Sequence, residues 1–189
     1  EWDGTNNLVD PLCGSGTFLI EAVSDLLGIA SGINRKFLFK NWPDFDIYLW
    51  NRELRMAQEV RTFNRKLPKI IGCEVDEIIA NCAMENVRQS GLEDYIEIIN
   101  CTFQKLKLPS GLGLLVCNPP YGKRIGDENL LPSLYKELGD YCKKEAPGWD
   151  LWLLNGNPKL SKYLGMKANQ RFQVNNGSID CRWLNYKIN

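Results

Sequence analysis

The feature that most constrains this chain is a short apolar strand, Asn7 to Asp10, running without a spacer into Asp10-Pro11-Leu12-Cys13-Gly14-Ser15-Gly16-Thr17. Behind that turn come Phe18, Leu19, Ala22, Val23, Leu26 and Leu27, spaced as one apolar face of a helix, with Gly28 placed to end it. Strand, glycine turn and helix in immediate succession open a βαβ unit, which calls for a second strand parallel to the first. The rest of the chain repeats the rhythm. Lys69 to Glu74 is a second strand, and Asp76 caps a helix from Glu77 to Ser90 that closes at Gly91. Tyr95 to Asn100 and Leu112 to Cys117 are the third and fourth strands, Leu130 to Lys144 a helix, and Asp150 to Leu154 a fifth strand. Near the end the rhythm changes: Gln170 to Val174 and Ile179 to Ile188 flank Asn175-Asn176-Gly177-Ser178, a turn signal that closes the sheet with an antiparallel hairpin. The expected fold is α/β, a mostly parallel sheet covered on both faces.

At 189 residues the chain fits a single domain. The stretch Arg35 to Lys66 is an insertion into the βαβ rhythm, a loop and then a helix around Leu49 to Asn64. It carries Phe37, Phe39, Trp42, Phe45, Tyr48, Trp50 and Phe63, which are expected to pack against the sheet edge. No apolar run is long enough to span a bilayer, and the opening Glu1-Trp2-Asp3-Gly4-Thr5 has no secretory signal, so the start reads as a cut from something longer. The seven cysteines include no CxxC pair and there is no histidine, so no metal site is expected, and free thiols in a reducing cytoplasm are the simplest assignment. The absence of histidine also removes the usual general base and leaves positioning as the main catalytic means. Lys and Arg balance Asp and Glu at 23 each, so the chain lacks the basic footprint of a self-sufficient nucleic-acid binder.

Two motifs carry chemistry. The turn Asp10 to Thr17 stands where an open parallel sheet places its ligand crevice, and Gly14 and Gly16 permit a tight turn and close backbone approach. The carboxylate of Asp10 makes a pyrophosphate a poor guest there and suits a cationic ligand. Glu74 ends the second strand, where an acidic side chain in nucleotide-binding sheets accepts hydrogen bonds from ribose hydroxyls. The second motif, Asn118-Pro119-Pro120-Tyr121, ends the fourth strand. An exocyclic amine on a base is a poor nucleophile because its lone pair is delocalised. The Asn118 side-chain carbonyl and the Pro119 backbone carbonyl can accept its two N–H bonds and aim the lone pair at a methyl donor. The prolines stiffen that backbone, and Tyr121 is placed to stack on a base withdrawn from its helix. Cys117 precedes this motif with no base beside it to activate a thiol, and reads as a buried strand cysteine. Lys123 and Arg124 are placed to reach a phosphate.

The turn resembles motif I of S-adenosylmethionine-dependent methyltransferases. Taken together, DPLCGSGTFLIEA at Asp10 to Ala22, FKNWPDFD at Phe39 to Asp46, NPPYGKRIG at Asn118 to Gly126 and NPKLSKYLGMKA at Asn157 to Ala168 resemble the bacterial large-subunit ribosomal RNA guanine-N2 methyltransferases. The catalytic motif is shared with adenine-N6 DNA methyltransferases; GNPKLSKYLGMKA and NGSIDCRW are more particular to the ribosomal group. The resemblance implies a Rossmann-like class I methyltransferase with a seven-stranded sheet, S-adenosylmethionine (SAM) as cofactor, and large-subunit rRNA as substrate. It implies a cofactor site at Asp10, Cys13, Gly14, Ser15, Gly16, Thr17, Glu74 and Asn118. The chain departs from the family at the end of the third strand, where relatives commonly carry an acidic residue for the adenine amino group and this sequence reads Asn100-Cys101-Thr102-Phe103; there Thr102 is placed to supply a weaker contact, and Phe103 and Val75 to sandwich the adenine ring. Asn118, Pro119, Pro120 and Tyr121 are the implied catalytic residues. Family members carry a THUMP RNA-binding domain ahead of the catalytic one, and nothing in this sequence matches it. The competing readings are an adenine-N6 DNA methyltransferase and a non-catalytic SAM-binding module.

Overall fold

The computed structural model describes residues 2–33, 35–61, 66–122 and 128–189. The strands are β1 (Asn7–Asp10), β2 (Ile70–Glu74), β3 (Ile96–Asn100), β4 (Gly113–Cys117), β5 (Asp150–Asn155), β6 (Gln170–Asn176) and β7 (Ile179–Lys187). The helices are α1 (Thr17–Leu26), α2 (Ile47–Glu59), α3 (Glu77–Gln89) and α4 (Leu131–Glu145). Seven strands form one sheet in the order β3-β2-β1-β4-β5-β7-β6. The first five are parallel, and β7 runs antiparallel to both β5 and β6. The chain therefore winds outward from β1 to β3, returns to β4 on the other side of β1, and leaves a crevice where the loops after β1 and β4 diverge.

Alternation along the central strands feeds two cores. Leu8 and Ile70 face a cluster with Leu19, Val23 and Val87 from α1 and α3. Val9 and Ile71 face the opposite cluster with Tyr135, Leu138 and Cys142 from α4. Apolar residues pointing both ways are what a parallel sheet covered on both faces requires. Gly72 is needed for space: a Cβ there would stand 2.7 Å from Ile98 Cδ1, 2.9 Å from Leu19 Cδ1 and 3.0 Å from Cys13 Sγ. Its bare backbone lets α1 and the turn after β1 settle onto β2.

The helix ends follow local chemistry. Gly28, at φ 66°, donates to Asp25 O at 3.0 Å while Ile29 donates to Ser24 O at 2.8 Å, closing α1 in a Schellman motif. Asp76 accepts from Ile78 N and Ile79 N at 2.9 and 3.1 Å and starts α3. β2, β3 and β4 each begin one residue later than the sequence pattern implies, at Ile70, Ile96 and Gly113, where their ladder pairing starts. The hairpin turn is tighter than expected: Asn176 still pairs with Ile179, leaving Gly177 and Ser178 as the loop.

The insertion departs from expectation. α2 starts at Ile47 behind the capping side chain of Asp46, and none of its described residues is buried. Phe63 and Asn64 lie outside the described residues. Phe37, Phe39, Trp42, Phe45 and Trp50 pack on one another rather than on the sheet edge, Tyr48 stands exposed, and neither core includes any of these six. Phe39 meets Phe37 at 5.1 Å, Trp50 at 5.4 Å and Phe45 at 5.9 Å between ring centres, and Lys40 Nζ lies 4.4 Å above the Trp50 ring. A short 3-10 turn at Leu38–Asn41 folds the loop back on α2, so these rings are satisfied within the excursion itself. Among the described residues no helix is long and apolar enough to cross a membrane.

Gly139, within α4, faces the backbone of Leu164, whose carbonyl occupies the volume a Cβ would need. Gly139→Ala gains about 1 kcal/mol of helix propensity but forces two backbones apart. The expected net outcome is a loss of about 1–3 kcal/mol, seen as a lower urea midpoint with unchanged slope.

Candidate functional site

Parallel pairing brings the carboxyl ends of β1 to β5 to one edge, and the polar residues gather there. Asp10 is 2% exposed, and its Oδ1 accepts from Leu12 N at 3.0 Å. Burial pushes its carboxyl up from 3.8 to about 8; the Leu12 bond opposes the shift and the neighbouring Glu74 adds to it. Gly14 and Gly16 hold φ of 54° and 82°, the left-handed region that favours glycine. A Cβ at Gly14 would meet nothing within 4 Å, so the turn opens onto free space. Gly14 N–H donates to Glu74 Oε2 at 3.1 Å, and Asp76 N–H donates to Glu74 Oε1 at 2.9 Å. Glu74 thus ties the glycine turn to the start of α3. Ser15 and Thr17 are exposed with their hydroxyls 3.1 Å apart, and Ser15 O accepts from Asn86 Nδ2 at 3.0 Å. Cys13 is buried beneath the turn; burial raises its thiol and keeps it protonated.

The next wall comes from β2 and β3. Val75 is 61% exposed, and Asn100 Nδ2 donates to the carbonyls of Glu74 and Val75 at 2.9 and 3.2 Å, fixing the strand's end. Thr102 is half-buried and leads into the 3-10 turn Phe103–Lys105, which its hydroxyl does not cap. Phe103, the other member of the expected ring sandwich, sits deeper than Val75. It is 4% exposed and lies edge-on to Tyr141 with ring centres 5.5 Å apart, because the 3-10 turn tucks it against α4. Of that pair, Val75 is the one the structure leaves open.

The second motif leaves β4 at the switch point. Cys117 is fully buried, and burial raises its thiol well above the ordinary range, so no thiolate is available for covalent attack. Asn118 is exposed, Pro119 buried, and Pro120 and Tyr121 half-buried. Tyr121 reaches across to elements the sequence reading did not assign to the site. Its Oη accepts from Asn176 Nδ2 at 2.8 Å and lies 3.8 Å from Cys181 Sγ, and its ring lies against Gly156. Asn155, the last residue of β5, is buried and accepts from Asn157 N at 2.9 Å, fixing the loop that carries Gly156. The signal for these residues was present in the GNPKLSKYLGMKA and NGSIDCRW segments, but no local rule ties either one to Tyr121. Lys123 and Arg124 lie outside the described residues. Among the described residues no cluster of three or more His, Cys, Asp or Glu side chains is arranged to hold a metal.

The arrangement is an acidic crevice at β1 and β2 beside an exposed asparagine and a tyrosine at β4. The profile of the "RMKL-like, methyltransferase domain" family matches residues 1–185. A protein of Synechocystis sp. (strain PCC 6803) is 39% identical over 188 residues, covering 99% of this chain and 49% of that one. The Ribosomal RNA large subunit methyltransferase K/L of Syntrophotalea carbinolica is 37% identical over 188 residues, covering 96% of this chain and 26% of that one. The crystal structure of SMU.472 complexed with S-adenosylhomocysteine superposes over 100% of this chain and 50% of its own, with TM-score 0.88 and 32% identity. The chain thus spans about half or less of these relatives.

The buried Asp10 generates a pH prediction. Below pH 3.8 the carboxyl is protonated folded and unfolded alike; between there and about 8 it ionises only when unfolded. The unfolded state then binds fewer protons, so this group's contribution to stability is fully present in acid and is lost as pH rises through about 8. Asp10→Asn removes that dependence. The urea midpoint of the variant is expected to gain on the wild type progressively across this range, and a difference independent of pH would contradict the burial of Asp10 as an acid.

Proposed function

Because the chain belongs to the RMKL-like methyltransferase domain family, we propose that it binds SAM at the carboxyl edge of β1 and β2 and methylates an exocyclic base amine in large-subunit rRNA, guanine N2 being the target. The observation that carries this reading is the exposed Asn118 at the switch point, at the same sheet edge as the open turn at Gly14, which Glu74 holds and behind which Asp10 is buried. The residues present fit the cofactor. Two carboxyl groups suit its sulfonium and ammonium charges, the space above Gly14 admits its amino-acid end, Glu74 stands at the ribose position, and Val75 offers an apolar face to adenine. Cys13, Gly16, Ser15 and Thr17 shape the turn beneath it, with Thr102 and Phe103 behind the adenine end.

When bound, SAM supplies an electrophilic methyl group. The chain's own residues do the rest by alignment. Asn118 Oδ1 and the Pro119 carbonyl accept the two N–H bonds of the target amine, turning its lone pair towards the donor. Pro119 and Pro120 hold that acceptor pair stiff, and Tyr121 stacks on the base. The chain's balanced charge gives little general attraction for a polyanion. Part of the RNA grip is therefore assigned to a separate RNA-binding domain, as in the proteins the sequence resembles.

Two measurements test this. A cationic ligand favours the ionised form of Asp10, which is neutral near pH 7 when its carboxyl stands at about 8. Calorimetry at pH 7 in buffers of different ionisation enthalpy is expected to show protons released on SAM binding, with affinity rising towards pH 8. No binding, or proton uptake, would contradict the cofactor assignment. In single-turnover transfer of labelled methyl to large-subunit rRNA, Asn118→Ala is expected to slow the step by about a hundredfold or more with SAM affinity retained, since it removes an interaction made in the transition state. Tyr121→Ala is expected to lose about 1–3 kcal/mol of base capture, while Cys117→Ser stays active. An inactive Cys117→Ser beside an active Asn118→Ala would point to covalent catalysis instead.

A further inference from the structure

The geometry points to the tip of the C-terminal hairpin as a positioning element for the target base: Asn176, together with Gly156, fixes the ring of Tyr121 in the orientation that receives it. This rests on the proposal that Tyr121 stacks on the base.

The register shows how the hairpin comes to be there. Asn155, the last residue of β5, pairs with Arg182, so β7 begins three residues beyond it at Ile179. The hairpin tip overhangs the carboxyl edge where the loop after β4 emerges. From that overhang Asn176, the last residue of β6, donates Nδ2–H to Tyr121 Oη at 2.8 Å, well within hydrogen-bond range. Cys181 on β7 lies behind it, its thiol 3.8 Å from the same oxygen, a weak donor. The ring's other support is Gly156, where a Cβ would overlap Cε2 of Tyr121 and lie 2.5 Å from Cδ2 and 3.1 Å from Cζ. Gly156 is absent from the glycines with positive φ, so its lack of a side chain serves the ring and not the backbone. Gly156 is the first residue of GNPKLSKYLGMKA, while Asn176 opens NGSIDCRW and Cys181 lies within it, so the two particular segments of the sequence converge on one side chain of the catalytic motif. A ring held at its hydroxyl and along its edge cannot turn away between substrates, which preserves alignment for the amine that Asn118 and Pro119 must hold.

The test uses the intact protein. Asn176→Ala is exposed and outside the cofactor crevice, so SAM affinity by calorimetry is expected to stay unchanged. Its kcat/KM for methyl transfer to a large-subunit rRNA transcript is expected to fall about threefold to tenfold, the scale of one net hydrogen bond. In a Tyr121→Phe background, where the acceptor is gone, adding Asn176→Ala is expected to change the rate less than about twofold. Gly156→Ala is expected to cost more than about tenfold by displacing the ring. Fluorotyrosine in place of Tyr121 supplies a readout free of activity: its fluorine resonance is expected to shift or broaden in Asn176→Ala as the ring gains freedom. Additive effects in the double variant, an unchanged rate in an otherwise active enzyme, or an unchanged resonance would overturn the proposal. If the wild type transfers no methyl to RNA, the functional reading fails, and the fluorine spectrum alone still decides whether Asn176 holds Tyr121.

Discussion

Everything at the site depends on the parallel pairing of β1 between β2 and β4. β1 is four residues long and buried throughout, with Leu8 in one core and Val9 in the other. Its pairings, Asp10 with Gly72 and Val9 with Leu115, set how far the loops after β1, β2 and β4 emerge. Parallel strands send every carboxyl end to the same edge, so one register choice places Asp10, Glu74, Asn100 and Asn118 together. A slip of one residue would turn the apolar faces of β1 over and move Asp10 out of the crevice.

That edge accepts an electrostatic cost in return for selectivity. Desolvation drives the Asp10 carboxyl up to about 8, and the Leu12 N–H only partly offsets it. Glu74 divides its two oxygens between Gly14 and Asp76 and so keeps a second acid within the same crevice. Two neighbouring acids, one of them neutral when the crevice lacks a cation, make a site that disfavours phosphate and favours positive charge. The same burial keeps Cys13, Cys73 and Cys117 protonated. With no histidine in the chain and these thiols held protonated, the proposed mechanism relies on alignment by carbonyl oxygens and a ring instead of a histidine base or a cysteine nucleophile.

How much of this was legible follows from how local each determinant is. The strands and helices were readable because period, cap and glycine stop lie within a few residues: Asp76 before α3 and Gly28 after α1 need no knowledge of the rest of the fold. The turn Asp10 to Thr17 and the Asn118 motif were readable for the same reason. The fate of the rings was not. Phe39 and Phe103 look alike in a sequence, yet one packs within a surface excursion and the other enters the core behind α4. What decides between them is which partner the chain brings near, a property of the topology. The contact from Asn176 to Tyr121 spans 55 residues and three strand pairings, so no local pattern announces it.

The antiparallel hairpin then has a physical rationale beyond completing the sheet. A sixth parallel strand beside β5 would need a crossover and would add another carboxyl-end loop to the edge. A hairpin instead delivers a paired, two-residue turn whose position is set by strand register, Asn155 with Arg182 and Asn176 with Ile179. Trp183 anchors that register from below, lying 5.5 Å from Phe18 of α1 and 6.0 Å from Trp152 of β5 between ring centres. α1 starts at the glycine turn that shapes the acidic crevice, and β7 carries the strand that overhangs Tyr121. The Phe18–Trp183 contact therefore joins, through packed side chains, the helix that starts at the glycine turn to the strand pair that reaches Tyr121, so the seat proposed for the methyl donor and the platform proposed for the base rest on elements packed against each other.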